Sequence, residues 1–187
     1  MTLLGNGLSA AKHDDDALSV YEAELAIMRR VGASESDILV VQTNLARTYQ
    51  FLGRNEEALQ LKRDVYSGLL RLNGEEHEET LRAANNYANS LNQLRRFEEA
   101  KSLMRKTIPA ARRVFGEAHR LTLKMRWIYA MALCCDPDAT LDDLREAVAT
   151  LEDVVPTARR VLGSAHPTTM RIEEDLQNAR ALAARDD

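Results

Sequence analysis

A repeat of about 42 residues constrains the fold of this chain more than any other feature. Glycines that follow a helical run and precede a polar restart, as C-terminal helix caps do, recur at Gly32, Gly74, Gly116 and Gly163. The first two intervals are 42 residues and the third is 47. Three further columns repeat with the glycines: His77, His119 and His166; Thr80, Thr122 and Thr169; Ala58, Ala100 and Ala147. Self-similarity at this period predicts a solenoid of stacked helical hairpins.

The repeat divides the chain into five segments of a single array. These are a truncated repeat at 1–32, regular repeats at 33–74 and 75–116, a repeat with an enlarged turn at 117–163, and a C-terminal capping helix at 164–187. Each full repeat contains two helices, A and B, which in the 33–74 repeat span about 35–52 and 55–72. We expect an all-α solenoid of antiparallel helix hairpins with about nine helices.

Local signals mark the ends of the helices. In the 117–163 repeat, Pro137 ends helix A, and Thr140 with Asp143 has the pattern of a capping box at the start of helix B. Pro109 and Pro156 lie inside helices B of successive repeats, so we expect both helices to bend. Glu and Asp open the helices and Arg pairs close them, as the helix dipole favours.

Composition and charge exclude several classes of protein. The net charge is −4, which does not indicate a surface for nucleic acid or an anionic membrane. No run of apolar residues is long enough to span a bilayer, and the first residues lack the basic region of a signal peptide. Cys134 and Cys135 are adjacent, which is not a disulfide framework. We therefore expect a cytoplasmic protein in a reducing interior, with no nucleic-acid or membrane partner.

Residues that could support catalysis do not converge in the sequence. The repeated histidines occur one per repeat at helix starts, so they predict capping residues and not a metal site. Cys134 and Cys135 are interpreted as a plain thiol pair, because a vicinal disulfide would be strained. There is no glycine-rich phosphate loop, no H-E-x-x-H motif and no nucleophile elbow. We expect no enzyme activity, no cofactor and no metal.

The repeat resembles the tetratricopeptide repeat, specifically the kinesin light chain type. The resemblance lies in a small residue after Leu or Tyr in helix A (Leu45-Ala46, Tyr87-Ala88), the following E-E-A, and the G-x-x-H-x-x-T-L joint. The N-N-Y-A of 85–88 matches the N-N-L-A of that type, whereas W-I-Y-A of 127–130 departs from it. The resemblance implies a right-handed superhelix whose helices A line a concave groove for a protein partner. No heptad coiled coil accompanies it, so a motor role is not implied.

The resemblance implies a peptide-binding groove lined by helices A. Within each helix A, spacings of three and four residues place the predicted groove side chains on one helix face. The predicted groove residues are Arg47, Gln50, Arg82, Asn85, Asn89, Asn92, Lys124, Trp127, Met131 and Arg171. Four asparagines within eight residues are costly in a helix, at up to roughly 0.7 kcal/mol each relative to Ala. They predict either hydrogen bonds to a peptide backbone or bonds between repeats, the latter favoured for Asn86, which shares a column with Asn44.

The chemistry of the partner follows from the charged and aromatic groove positions. Arg82, Lys124 and Arg171 form a basic column that predicts an acidic peptide, the alternative being ordinary surface charge paired with neighbouring acids. Trp127 is either an aromatic platform or a core residue under the enlarged turn. Two other functions stay open. One is a structural, self-associating array, favoured by poorly covered Leu3, Leu4 and Leu8; the other is a regulatory segment of a larger signalling protein.

Overall fold

The protein is described here from a computed structural model, which covers residues 2–11 and 13–184. Within these residues there are nine helices and no strand. They are α1 (Thr2–Ala10), α2 (Asp14–Val31), α3 (Glu35–Phe51), α4 (Asn55–Asn73), α5 (Glu78–Gln93), α6 (Phe97–Phe115), α7 (Arg120–Cys134), α8 (Leu141–Leu162) and α9 (Pro167–Ala183). The helices fall into two compact units, Met1–Gly74 and Glu75–Asp187.

The first unit consists of α1 to α4, in which each helix packs against the next and α1 also touches α3. Its core forms where the apolar stripe of α2 meets α3, through Ala17, Tyr21 and Leu25 against Val41 and Leu45. Leu18 and Met28 of α2 pack against the same cluster and are partly buried. The apolar side chains of α2 recur every three or four residues, which places them on the face that packs in this core.

The second unit consists of α5 to α9. Sequential helices pack in pairs, and α7 also contacts α5 and α9. The apolar stripe of α5 is fully buried, with Leu81, Ala84, Ala88 and Leu91 all without solvent exposure. Small residues also lie where α7 packs, since Ala130 is fully buried. Gln177, on the capping helix α9, is exposed.

The predicted helix ends agree with the structure. Thr140 Oγ1 accepts from the Asp143 backbone N–H at 3.1 Å, and the Asp143 carboxylate accepts from the Thr140 backbone N–H at 3.0 Å, which completes the capping box. Gly32, Gly74, Gly116 and Gly163 all cap helix C-termini with positive φ. Helices α6 and α8 continue through Pro109 and Pro156.

The repeated histidines are N-caps, as predicted. In His77, His119 and His166 the imidazole Nδ1 accepts from the backbone N–H two residues ahead, at 3.3, 3.3 and 3.1 Å. Each ring thereby satisfies a backbone donor that the helix leaves free at its first turn. The imidazoles are therefore occupied by helix capping.

Replacing His166 distinguishes capping from other roles of the histidine column. We expect His166→Ala to lower the free energy of unfolding by about 1 kcal/mol, because one backbone donor of α9 loses its partner. His166→Asn should retain most of the stability, since the asparagine Oδ1 lies at the same distance from the backbone as the imidazole Nδ1. Urea denaturation measures both variants. Equal losses in the Ala and Asn variants would contradict a capping role.

Candidate functional site

The face formed by α5, α7 and α9 carries eight of the ten predicted groove residues. Helix α7 packs between the other two, so these side chains belong to neighbouring helices of one unit. The exposed members are Arg82, Lys124 and Arg171, and the half-buried members are Asn89, Asn92, Trp127 and Met131. Asn85 is buried, with 3% of its surface exposed. The face therefore exposes three cations, two half-buried asparagines, one indole ring and one methionine.

The asparagines of α5 differ in their hydrogen bonds and in their burial. Asn92 Nδ2 donates to the backbone carbonyl of Ile128 on α7 at 2.9 Å, which ties two repeats together. Asn85 Nδ2 donates to Asn86 Oδ1 at 3.2 Å on the same helix. The residue that bonds the next repeat is thus Asn92 and not Asn86, which is exposed. Asn89 is left half-buried on the open face.

Two amide oxygens on this helix are buried without a partner among the described residues. They are Oδ1 of Asn85 and Oδ1 of Asn92. A buried acceptor without a hydrogen bond costs about 1–3 kcal/mol. Such groups are uncommon in native structures and call for an explanation, of which an external donor is one.

Trp127 is held in place by a buried carboxylate. Its Nε1–H donates to Asp175 Oδ2 on α9 at 2.8 Å, and Asp175 is only 3% exposed. Burial raises the pKa of Asp175, against the hydrogen bond from Trp127 and the charge of Arg171, which lower it. The indole is neither fully in the core nor free on the surface: its ring is half-buried while its N–H is anchored.

Two of the three cations of the basic column have acidic partners on their own helix. Arg82 Nε donates to Glu78 Oε1 at 2.8 Å. Arg171 lies 3.6 Å from both Glu174 and Asp175. Lys124 is exposed and joins none of the ion pairs formed by the described residues. Exposed pairs of this kind contribute only about 0–1 kcal/mol, so a ligand carboxylate could replace Glu78 or Glu174 at small cost.

The remaining predicted groove residues, Arg47 and Gln50, lie on α3 in the first unit. Arg47 is exposed, and Gln50 is half-buried with its Oε1 accepting from Lys62 Nζ of α4 at 2.5 Å. Burial lowers the pKa of Lys62 to about 8. Gln50 therefore serves its own hairpin in this structure. Thr43, on the same face, donates to the Leu39 carbonyl.

In the described part of the chain, no group of three or more His, Cys, Asp or Glu side chains could hold a metal ion. None of the helices within it combines the length and apolarity needed to cross a membrane. Leu3 and Leu4 are 88% and 59% exposed, while Leu8 packs against the core of the first unit. Self-association through this end stays a prediction.

Comparisons with known proteins agree with this geometry. Two family models, both described as tetratricopeptide repeat, match residues 1–71 and residues 80–121 with 139–168, which together make up well over half of the chain. The chain belongs to the tetratricopeptide repeat proteins. Its all-α fold of helix hairpins, predicted from the 42-residue period, is thereby confirmed. No curated protein matches the sequence significantly.

Solved structures show the same fold. Two crystal structures of a Podosopora anserina protein, described as kinesin light chain nearly identical TPR-like repeats, superpose with TM-scores of 0.82 and 0.80 at 22% and 23% identity. Each match covers 98% of this chain and 85% of the other. BtubC (BKLC) from P. vanneervenii superposes with a TM-score of 0.72 at 18% identity, covering 99% of this chain and 76% of the other. The repeat is thus similar in fold to the kinesin light chain type, as the sequence predicts.

Tetratricopeptide repeats are in general scaffolds for protein–protein interaction and not enzymes, and the present array has that architecture. Sequence reasoning missed Asp175, the partner of Trp127. A signal was present, because Asp175 is an acidic residue between the apolar positions Ile172 and Leu176. It also falls in the column of Asn44 and Asn86 when the repeats are aligned at Thr122 and Thr169.

Proposed function

We propose that this tetratricopeptide array binds an extended acidic segment of a partner protein across the face formed by α5, α7 and α9. The observation that carries the proposal is that three alternate helices, α5, α7 and α9, each carry an exposed cation, while α7 also carries a half-buried indole. Arg82, Lys124 and Arg171 supply positive charge in a chain whose net charge is −4. A local potential opposite to the net charge favours association with an acidic ligand.

The open asparagine of α5 supplies the polar contacts for a peptide backbone. Asn89 is half-buried on the face and has both an amide donor and an acceptor. Asn85 and Asn92 support the same role less directly, since their Oδ1 atoms lack a partner but are covered. A backbone N–H of the ligand would reach them only after the amide groups rotate. We therefore place Asn89 at the centre of the peptide site.

Apolar contact comes from Trp127 and Met131, one turn apart on α7 and both half-buried. Because Asp175 anchors the indole nitrogen, the ring loses little side-chain entropy when a ligand packs against it. A peptide with an apolar residue between acidic ones fits this arrangement. The mechanism is equilibrium recognition, in which charge steers the encounter and Trp127 and Asn89 fix the register.

The test uses Trp127 as its own reporter, since it is the single tryptophan of the chain. A synthetic peptide library rich in Asp and Glu is titrated into the full chain, alongside a twin library in which Asn and Gln replace the acids. We expect a change in tryptophan emission with the acidic library alone, weakening as salt is added. Combining Asn89→Ala with Arg82→Glu should weaken binding at least about ten-fold.

A matched control separates the face from a general charge effect. Arg160→Glu makes the same charge change at an exposed position of α8, a helix that is not one of the three that form the face. This variant should bind the acidic library as the parent chain does. Retained binding in the Asn89→Ala, Arg82→Glu variant would contradict the proposed site. Equal binding of the two libraries would contradict the preference for acidic ligands.

A further inference from the structure

A cleft lies between α2 and α4 in the first unit. Among the described residues these two helices both pack on α3 and not on each other, so α3 forms the floor of the cleft. Its volume is about 430 Å³, which is within the range of ligand pockets. Leu25, Leu45 and Leu61 supply an apolar lining, and the first two are buried. Glu22 on α2 and Glu57 on α4 line the same cleft and are exposed.

The corresponding space in the second unit, between α6 and α8 over α7, is bridged by the protein's own side chains. Arg105 Nε on α6 donates to the Tyr129 hydroxyl on α7 at 2.8 Å. That hydroxyl donates to Glu146 Oε1 on α8, also at 2.8 Å. The Arg105 guanidinium lies 5.6 Å from the centroid of the Tyr129 ring. A guanidinium, a phenol and a carboxylate from three successive helices therefore connect α6 to α8.

The first unit carries different side chains at two of these three positions. The buried alanines that align the helices of the two units are Ala17, Ala46 and Ala58 in the first and Ala100, Ala130 and Ala147 in the second. In this alignment Glu22 takes the place of the arginine, Leu45 takes the place of the tyrosine, and Glu57 takes the place of the glutamate. The first unit thus lacks the phenol ring, and a carboxylate stands at the position of the cation.

The protein compensates the two carboxylates of the cleft only in part. Glu22 accepts a hydrogen bond from the Tyr49 hydroxyl at 2.9 Å and forms no ion pair within the described part of the chain. Arg54 donates to Glu57 through Nε and Nη2, at 2.9 and 2.6 Å, and both donors bind the same oxygen, Oε1. Exposed pairs of this kind contribute little to stability. Arg29 also lines the cleft, but it lies two turns beyond Glu22 on α2, about 10 Å along the helix.

We propose that this cleft binds an arginine side chain of a partner protein, with the guanidinium between Glu22 and Glu57. A guanidinium presents five N–H donors in a planar fork that matches carboxylate oxygens. The methylene stem of the arginine packs on Leu45 and Leu61, as long basic side chains do on apolar surface. The partner thereby supplies the cation that Arg105 supplies in the second unit. This site recognises a basic segment and uses different helices from the face proposed for an acidic one.

The first experiment titrates N-acetyl-arginine amide, whose two ends are neutral as they are inside a polypeptide, into the full chain. Carbon-13 labels in the leucine methyl groups report on Leu25, Leu45 and Leu61 by NMR. We expect these methyl signals to shift with the arginine probe and to stay unchanged with the matching citrulline compound, which has the same shape but no charge. The matching lysine compound should bind at least about three-fold more weakly, because an ammonium cannot bind a carboxylate through a planar fork.

Three outcomes of this titration would overturn the proposal. An absence of shifts with the arginine probe would show that the cleft does not bind arginine. Equal shifts with the arginine and citrulline compounds would show that the carboxylates do not select the ligand. Tighter binding of free arginine than of the blocked probe would contradict a partner polypeptide as the source of the side chain. Because the readout comes from leucines of the first unit, it is independent of the tryptophan signal used for the acidic segment.

Variants of the cleft test its two carboxylates and its open space. Glu57→Gln should weaken binding of the arginine probe at least about five-fold, whereas Glu56→Gln, which removes the same charge from the exposed neighbouring residue, should not. Glu22→Arg combined with Leu45→Tyr rebuilds the arrangement of the second unit, so that the cleft is filled and probe binding is lost while circular dichroism shows an intact helical fold. Undiminished binding in the rebuilt variant, or equal binding by the Glu57→Gln and Glu56→Gln variants, would contradict the site.

Discussion

Replacing Lys101 with Met should lower the free energy of unfolding by about 3–5 kcal/mol, because it leaves a buried carboxylate without its counter-ion. Lys101 on α6 and Asp136 in the turn after α7 have side chains only 4% and 9% exposed, and their charged atoms lie 2.9 Å apart. Lys101 also pairs with the exposed Glu98. The pair joins the enlarged turn of the 117–163 repeat to the preceding hairpin.

The loss of stability caused by Lys101→Met should depend on pH. The hydrogen bond from Lys101 lowers the pKa of Asp136, so the stability that the pair contributes is present above the ordinary carboxyl pKa and is lost as the pH falls through the folded-state value. The loss caused by Lys101→Met should therefore shrink in acid. Urea denaturation of the parent chain and the variant at neutral and acidic pH measures the loss of stability at each pH.

The matched control is Lys106→Met, which removes the same charge from an exposed position of α6. It should change stability by less than about 0.5 kcal/mol. Replacing both members, Lys101→Met with Asp136→Leu, should be far less costly than the single change, since no buried charge is then left unpaired. A Lys101→Met variant as stable as Lys106→Met would show that the pair does not hold the turn.

Trp127→Phe should lower the free energy of unfolding by about 2–3 kcal/mol at neutral pH, because Asp175 loses a hydrogen bond inside the protein. The remaining partner, Arg171, lies 3.6 Å from the Asp175 carboxylate. Burial raises the pKa of Asp175, which means that the fold favours the neutral carboxyl over the carboxylate. The free-energy cost of burying the carboxylate therefore appears as the pH rises through the pKa that Asp175 has in the folded protein. The loss should therefore be smaller at acidic pH than at neutral pH.

Circular dichroism follows unfolding in this series, because the variant has no tryptophan. The control adds Asp175→Asn to Trp127→Phe, which removes the titrating group and should remove the pH dependence of the difference. A loss of the same size at both pH values would contradict a buried charge at Asp175. It would assign the effect to the smaller ring alone.

Helix positions and helix ends were predictable because their causes are local. Thr140 with Asp143 acts within one turn, and the His166 imidazole reaches a backbone N–H only two residues ahead. The apolar stripe of α5 follows from the spacing of its apolar residues alone, which is three and four residues. The predicted 35–52 and 55–72 helices accordingly match Glu35–Phe51 and Asn55–Asn73 to within one residue.

The roles of individual groove residues were not predictable to the same degree. The sequence could not distinguish Asn92 from Asn86 as the residue that bonds the next repeat, because the answer depends on the rotation of α5 against α7. It placed Arg82 and Arg171 in a basic column, whereas both have acidic partners on their own helix. Which of two exposed partners a long side chain chooses is decided by less than about 1 kcal/mol.

By itself the sequence determined the tetratricopeptide repeat, its caps and the apolar faces of its helices, since periodicity and capping act within a few residues. Only the tertiary structure decided which side chains from distant parts of the chain contact each other. It joined Trp127 to Asp175 across 48 residues of chain and buried Lys101 against Asp136. Such contacts depend on how helices from different repeats pack, because side chains far apart in the chain meet only when a shared core aligns their helices.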